Sequence, residues 1–296
     1  MTKAKRQGPV TKDKGQRTAV SQPADRPRLK TLIVYFSQTG NTERVAEAIA
    51  EGLSDAGAGP IDLRPIEAVG PDEWLAYQAL GLGTPVFYYH EPPNVRDWIK
   101  ALVRSAEPVP VFTFNTNGGN PCNTLRRMQK FLKKKGGRVL DSFECFGYDT
   151  YPIYLKSFRR WGHPDAEDLA RASAFGAAFA EKARSFLAGE AGGEADYDFV
   201  GGRLFRLSWI CRKPFLDRFF PKLNLAADLC TRCGACARAC PTDNILLQPD
   251  PLFLNQCIHC YLCERVCPEN AIRCDWRKWT EKLNPGPATR PTEASA

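Results

Sequence analysis

The chain has 296 residues, of which 43% are hydrophobic and 11% aromatic. That is enough for about two domains and excludes a largely disordered protein. No run of ~18 apolar residues occurs, so no membrane-spanning helix is expected, and no apolar segment follows the basic N-terminus as in a secretory signal. The formal charge of +8 is local: residues 1–30 hold nine Lys/Arg and two acids, leaving 32 basic and 31 acidic groups elsewhere. A nearly neutral body argues against a nucleic-acid partner, and none is expected.

Residues 1–29 carry Lys, Gln, Pro and Thr without hydrophobic periodicity and are expected to form a disordered basic tail. Thr31–Phe36 is a short apolar run, the pattern of a strand buried on both faces. A polar turn, Ser37–Thr42, precedes Val45, Ala46, Ile49, Ala50 and Leu53 at helical spacing, with Gly57 and Gly59 ending that helix. Ile61–Ile66, Ala79–Val86, Val109–Phe114 and Val139–Phe146 read as further strands, the second interrupted by Gly81 and Gly83. Between them, Val95–Val103 after Pro92-Pro93 and Leu125–Leu132 read as helices. Asp165 is placed to cap a long helix that buries Leu169, Ala172, Phe175, Phe179 and Phe186. Five alternating β–α units over residues 30–188 predict an α/β, doubly wound, five-stranded parallel sheet, with its ligand at the carboxyl ends of the strands.

Residues 189–224 read as a Gly/Ala/Glu linker followed by an amphipathic docking helix, in which Arg203, Arg206, Arg212, Lys213 and Arg218 alternate with Phe205, Trp209, Ile210, Phe215 and Phe219. Packing of one domain on another is the expected role of that helix. Contact with a membrane surface is the less favoured one. Residues 281–296 are expected to be a disordered tail.

Eight of the twelve cysteines form two runs. They are Cys230-Thr-Arg-Cys233-Gly-Ala-Cys236-Ala-Arg-Ala-Cys240-Pro241 and Cys257-Ile-His-Cys260-Tyr-Leu-Cys263-Glu-Arg-Val-Cys267-Pro268. Both read C-x₂-C-x₂-C-x₃-C-P, the run that holds [4Fe–4S] cubes in bacterial two-cluster ferredoxins. Three cysteines two residues apart wrap one side of a cube, and the fourth reaches the other cube. One cluster would take Cys230, Cys233, Cys236 and Cys267, and the other Cys257, Cys260, Cys263 and Cys240. Structural zinc, which uses separated C-x₂-C pairs, explains neither the third cysteine nor the repeat. The parallel between Cys240–Ile245 and Cys267–Ile272 predicts an internal duplication with Ile245 and Ile272 as equivalent core residues. Residues 225–280 are therefore expected to be a small α+β two-[4Fe–4S] domain. Thiolate ligands fit a reducing compartment, so a cytoplasmic protein is expected.

Ser37-Gln38-Thr39-Gly40-Asn41-Thr42, between a first strand and a helix, resembles the flavodoxin phosphate loop. Thr84-Pro85-Val86-Phe87-Tyr88 and Asn117-Gly118-Gly119 resemble the two loops that hold the flavin ring. Asn117 stands where relatives commonly have an aromatic, and Cys122 where glycine is frequent, so Phe87 or Tyr88 would have to supply the stacking. Over roughly residues 30–280 the chain resembles fusions of a flavodoxin-like domain with a two-[4Fe–4S] ferredoxin domain. That resemblance implies FMN beside the two clusters and an electron-transfer role toward a redox partner protein or small-molecule acceptor. Two alternatives remain open: a two-cluster ferredoxin whose flavodoxin-like half is a flavin-free partner-binding domain, and an FMN-dependent reductase. For the reductase, His90 and Tyr88 are the candidate acids, and no catalytic residue is assigned.

Overall fold

The structure, a computed structural model, describes residues 28–154, 158–190, 193–197 and 199–283. The expected tails lie outside it, except at their inner ends. Leu29 is a core residue, 1% exposed, and its carbonyl accepts from Thr31 Oγ1 at 3.0 Å and from the Gly59 N–H at 3.1 Å. At the other end, a helix runs on to Leu283. Both expected tails, 1–29 and 281–296, are thus too long at their inner boundaries.

Five strands, β1 (Thr31–Tyr35), β2 (Ile61–Pro65), β3 (Ala79–Pro85), β4 (Val109–Asn117) and β5 (Gly137–Phe146), form one parallel sheet in the order β2-β1-β3-β4-β5. Helices α1 (Asn41–Asp55) and α4 (Ala166–Leu187) share one core with Ile33, Phe112 and Phe114. Helices α2 (Pro93–Ala101) and α3 (Thr124–Lys133) share the other with Leu32, Val34 and Leu82. Such two-sided burial explains the continuous apolar strands. The glycines of β3 do not interrupt it. A Cβ at Gly81 would lie 2.2 Å from Phe112 Cζ and one at Gly83 2.1 Å from Phe114 Cζ, so the glycines let two rings of β4 lie across the neighbouring strand. Asp165 caps α4 as expected. It accepts from Asp168 N–H at 2.9 Å, and Asp168 accepts in return from Asp165 N–H at 3.3 Å.

The expected linker is not free. The Ala195 N–H donates to the Val139 carbonyl at 2.7 Å on the outer edge of β5. Glu194 forms ion pairs with Lys133 and Arg138, both at 3.0 Å. Instead of one docking helix there are two, α5 (Gly202–Ile210) and α6 (Lys213–Phe219), separated at Cys211-Arg212. Pro214 sits in the first turn of α6, where its missing N–H costs nothing.

The C-terminal domain comprises β6 (Asn224–Leu225), α7 (Ala235–Arg238), β7 (Ile245–Gln248), β8 (Asp250–Phe253), α8 (Leu262–Arg265), β9 (Ile272–Arg273) and α9 (Arg277–Leu283). Strands β6 and β9 pair antiparallel, as do β7 and β8. The duplication extends to backbone detail. Arg232 and His259, and likewise Asp243 and Asn270, occupy equivalent places and are left-handed (φ 57°, 55°, 49° and 49°). Ile245 and Ile272 are both buried, as the repeat predicted. Among the described residues no helix is long and apolar enough to cross a membrane.

Candidate functional site: two cysteine cavities against the carboxyl edge of the sheet

Each cysteine run folds as a loop leading into a single helical turn, so its first three sulfurs surround one space. Cys230, Cys233 and Cys236 line one cavity and Cys257, Cys260 and Cys263 another of similar extent. The fourth cysteine of each run has crossed over: Cys267 lines the first cavity and Cys240 the second. The two sites therefore have similar size and four sulfurs each, in the exchanged grouping expected from spacing. Backbone donors face the sulfurs, with Asn244 N–H 3.2 Å from Cys240 Sγ, Ala271 N–H 3.2 Å from Cys267 Sγ and His259 N–H 3.4 Å from Cys257 Sγ. Burial pushes the Cys260 thiol up to about 12 and raises Cys263, Cys257 and Cys236 as well. Four sulfurs facing one space ionise together only beside a cationic centre, which an iron–sulfur cube supplies.

Tyr261 stands where the first run has Gly234, and it takes the same left-handed backbone (φ 55° against 75°). That conformation costs on the order of 1 kcal/mol in a non-glycine residue. The ring offsets it: Tyr261 is buried, meets Trp276 edge-on at 4.6 Å, and donates from its hydroxyl to the Pro221 carbonyl at 2.9 Å. Trp276 and Pro221 have no motif of their own, so sequence reading missed this anchor. His259 turns from the cavity, its Nε2 lying 2.8 Å from Asp217.

The Ser37–Thr42 turn lies on the first β–α connection, with left-handed Gly40 (φ 85°) at the N-cap of α1. Nothing lies within 4 Å of where a Gly40 Cβ would be, so the space in front of the helix N-terminus is open. Ser37 Oγ is buried there without a hydrogen-bond partner. An open helix N-terminus and an orphaned hydroxyl fit a phosphate. The other side chains of the turn are partly engaged. The Asn41 amide donates to the Tyr148 carbonyl at 3.1 Å, Thr42 Oγ1 lies 2.8 Å from Thr116 Oγ1, and Gln38 Nε2 donates to the Cys260 carbonyl at 3.1 Å.

The two ring-binding loops depart further from expectation. Strand β4 runs through Asn117, and that side chain points inward, donating to Asn115 Oδ1 at 2.9 Å and accepting from the Gly119 N–H at 2.9 Å. The side chain of Asp149 approaches Gly118 and that of Arg159 approaches Gly119. Arg159 Nε donates to the Gly118 carbonyl at 2.5 Å. Thr84 is buried and donates to the Pro85 carbonyl at 2.9 Å. Phe87 packs edge-on against Phe36 at 6.2 Å. Tyr88, expected as a stacking or catalytic residue, is half-buried with its ring between Tyr151 and Phe220 (5.7 and 5.1 Å), and its hydroxyl donates to the His259 carbonyl at 2.6 Å. Burial raises its pKa well above the usual phenol range. His90, the other candidate acid, faces the Ser208 carbonyl through Nε2 and Arg127 through Nδ1 at 2.7 Å. Burial and the Arg127 charge lower its pKa to about 4. Neither residue is free to act as an acid on a bound molecule. Cys122 is left-handed (φ 48°), which gives the reason glycine is frequent at that position.

The cysteine domain docks on this edge of the sheet. Ile258, inside the second run, is buried in the N-terminal core beside Phe36 and Ile66. With the Gln38–Cys260 and Tyr88–His259 bonds, it seats the second cysteine loop directly on the candidate phosphate and ring loops.

A family model described as a flavodoxin domain matches residues 32–157, and one described as a 4Fe-4S binding domain matches residues 226–246 and 253–273. The chain is a flavodoxin–ferredoxin fusion. Its domains are those of electron transfer, and the eight cysteines of the ferredoxin domain are those of a [4Fe–4S] protein. An uncharacterized protein, MJ0298, of Methanocaldococcus jannaschii is 28% identical over 151 residues, 50% of this chain and 95% of that protein. A flavodoxin of Clostridium saccharobutylicum is 32% identical over 71 residues, 24% of this chain and 44% of that protein. Among solved structures, a flavodoxin from the domain Archaea aligns at 20% identity with a TM-score of 0.42, covering 53% of this chain and 99% of its own. Oxidised flavodoxin 2 from Bacillus cereus aligns at 25% identity with a TM-score of 0.41, covering 52% and 99%. The fold assignment rests on the sheet order and the flavodoxin-domain match.

Proposed function

We propose that this fusion is an intramolecular electron junction. In this reading Cys230, Cys233, Cys236 and Cys267 hold one [4Fe–4S] cluster, and Cys257, Cys260, Cys263 and Cys240 hold the second. FMN binds with its phosphate on Ser37, Thr39 and the backbone of Gly40–Thr42, and its ring near residues 84–88 and 117–119. Clusters supply single electrons and a flavin one or two. The chain sets the distance and order between them. The observation that carries the reading is the 3.1 Å bond from Gln38, in the phosphate loop, to the carbonyl of Cys260, a proposed ligand of the second cluster. In this reading that cluster is the proximal one, and the first is left for an outside redox partner protein or small-molecule acceptor. Residues 30–188 and 225–280 would be the working domains, with 189–224 joining them. Thiolate ligands suit the reducing cytoplasm, where we place the protein.

A second reading is favoured by one observation. Asn117 and Tyr88 are both committed to protein partners, so the flavodoxin domain could serve as a flavin-free binding domain for a partner. Anaerobic purification and measurement of iron, sulfide and FMN per chain separates the two readings. About eight irons, eight sulfides and one FMN would support the junction. The same iron and sulfide with no flavin, even after FMN is added, would leave a ferredoxin with a docking domain.

A further inference from the structure

We propose that the α5 face of the connecting segment docks on an anionic lipid surface. Helix α5 is held to the flavodoxin domain from one side, where Ser208 is buried and its carbonyl meets His90 Nε2. The rest of its surface is open to solvent and mixes exposed apolar and basic side chains. Phe205 and Trp209 stand one turn apart, Ile210 lies beside them, and Phe199 meets Phe205 edge-on at 5.0 Å. Trp209 is 62% exposed, an unusual position for the largest apolar side chain. Phe219 on α6, 57% exposed, adds to the same connecting segment.

The charges along this segment are mainly positive, although Asp196 and Asp198 precede Phe199 in the sequence. Residues 199–222 contain six Lys/Arg and one acid, Asp217. That acid is already engaged by Lys213 at 2.9 Å and His259 at 2.8 Å. Guanidinium groups flank the exposed rings: Arg126 lies 5.2 Å from Phe199, Arg212 5.5 Å from Trp209 and Arg218 5.5 Å from Phe219. Arg203 and Arg206 are exposed on α5 itself. Residues 31–296 as a whole hold 32 basic and 31 acidic groups, so the positive charge gathers on this segment.

Aromatic rings that protrude and are each flanked by an arginine match a headgroup boundary. The rings enter the acyl edge, and the guanidinium groups reach up to phosphates. A second copy of this chain fits the face poorly, because an isologous contact would press two like-charged patches together. A protein partner would need an acidic surface shaped around protruding side chains.

The test uses the full chain with its clusters intact, sedimented with vesicles of phosphatidylcholine alone or containing phosphatidylglycerol. Binding is expected only to the phosphatidylglycerol vesicles, weakening with salt. Phe205→Glu/Trp209→Glu should lower the partition by about tenfold or more with iron content and visible absorbance unchanged. Should that pair disturb folding, Arg203→Gln/Arg206→Gln keeps the question open to test, and is expected to weaken binding without loss of iron. No binding by the unaltered chain overturns the proposal, as does equal binding by both variants. Binding lost on removing residues 2–27 and kept by Phe205→Glu/Trp209→Glu would assign it to the N-terminal tail instead. A dimer broken by Trp209→Glu would assign the face to a second copy.

Discussion

The flavodoxin domain buries Trp74, Phe112, Phe114 and Phe179 and two layers of aliphatic side chains about its sheet. The ferredoxin domain buries Cys236, Ile245, Cys263 and Ile272 around two cysteine-lined cavities. With so small an apolar cluster, this domain of roughly 55 residues is expected to borrow stability from bound metal. One half is thus organised by the hydrophobic effect and the other by coordination chemistry.

Iron removal gives the largest test of that contrast. Chelation is expected to unfold residues 225–280 and leave the flavodoxin domain folded, read as proteolytic cleavage confined to the C-terminal part of the chain. A chelated chain that still resists cleavage there would sink the contrast. The converse perturbation is Phe112→Ala, which should cost the flavodoxin domain about 3–5 kcal/mol in denaturant melts. The ferredoxin absorbance should survive until that domain unfolds. Tyr261→Gly tests the seam between the halves. It relaxes a left-handed backbone but opens the space against Trp276, for a net loss of roughly 2 kcal/mol. A more stable variant would show that the strain outweighs the packing.

An effect of about the same size as that of Tyr261→Gly is expected on pH dependence. His90 titrates at about 4 in the folded chain, below its ordinary value of 6.5, because burial and Arg127 disfavour the cation. Its contribution is therefore fully present above about pH 6.5 and is lost as pH falls toward 4. The unaltered chain should lose roughly 2 kcal/mol from this group by pH 5. His90→Gln should flatten that part of the profile, and an unchanged slope would assign it to other groups.

Much of this was legible because the signals are local. Strands β1, β3 and β4 appear as largely apolar runs and β2 as an alternating one, and the cysteine runs carry their own spacing. Asp165 caps α4 through a residue three positions away. Less legible was the flavin side. Asn117 and Tyr88 are turn residues by sequence, and only their neighbours reveal that both are spent on protein contacts. The connecting segment was misjudged for the same reason, since Ala195 is held by a β5 carbonyl far away in the chain.

By itself the sequence determined the order of β–α units and the two cysteine runs, because period and spacing are properties of a few adjacent residues. The tertiary structure decided what faces what. It set the second cysteine loop on the phosphate loop through Gln38 and Cys260, 222 residues apart, and it turned Tyr88 into the seam and left Trp209 outside. Those outcomes depend on how two independently patterned domains dock, and docking is governed by complementary surfaces that no local pattern encodes.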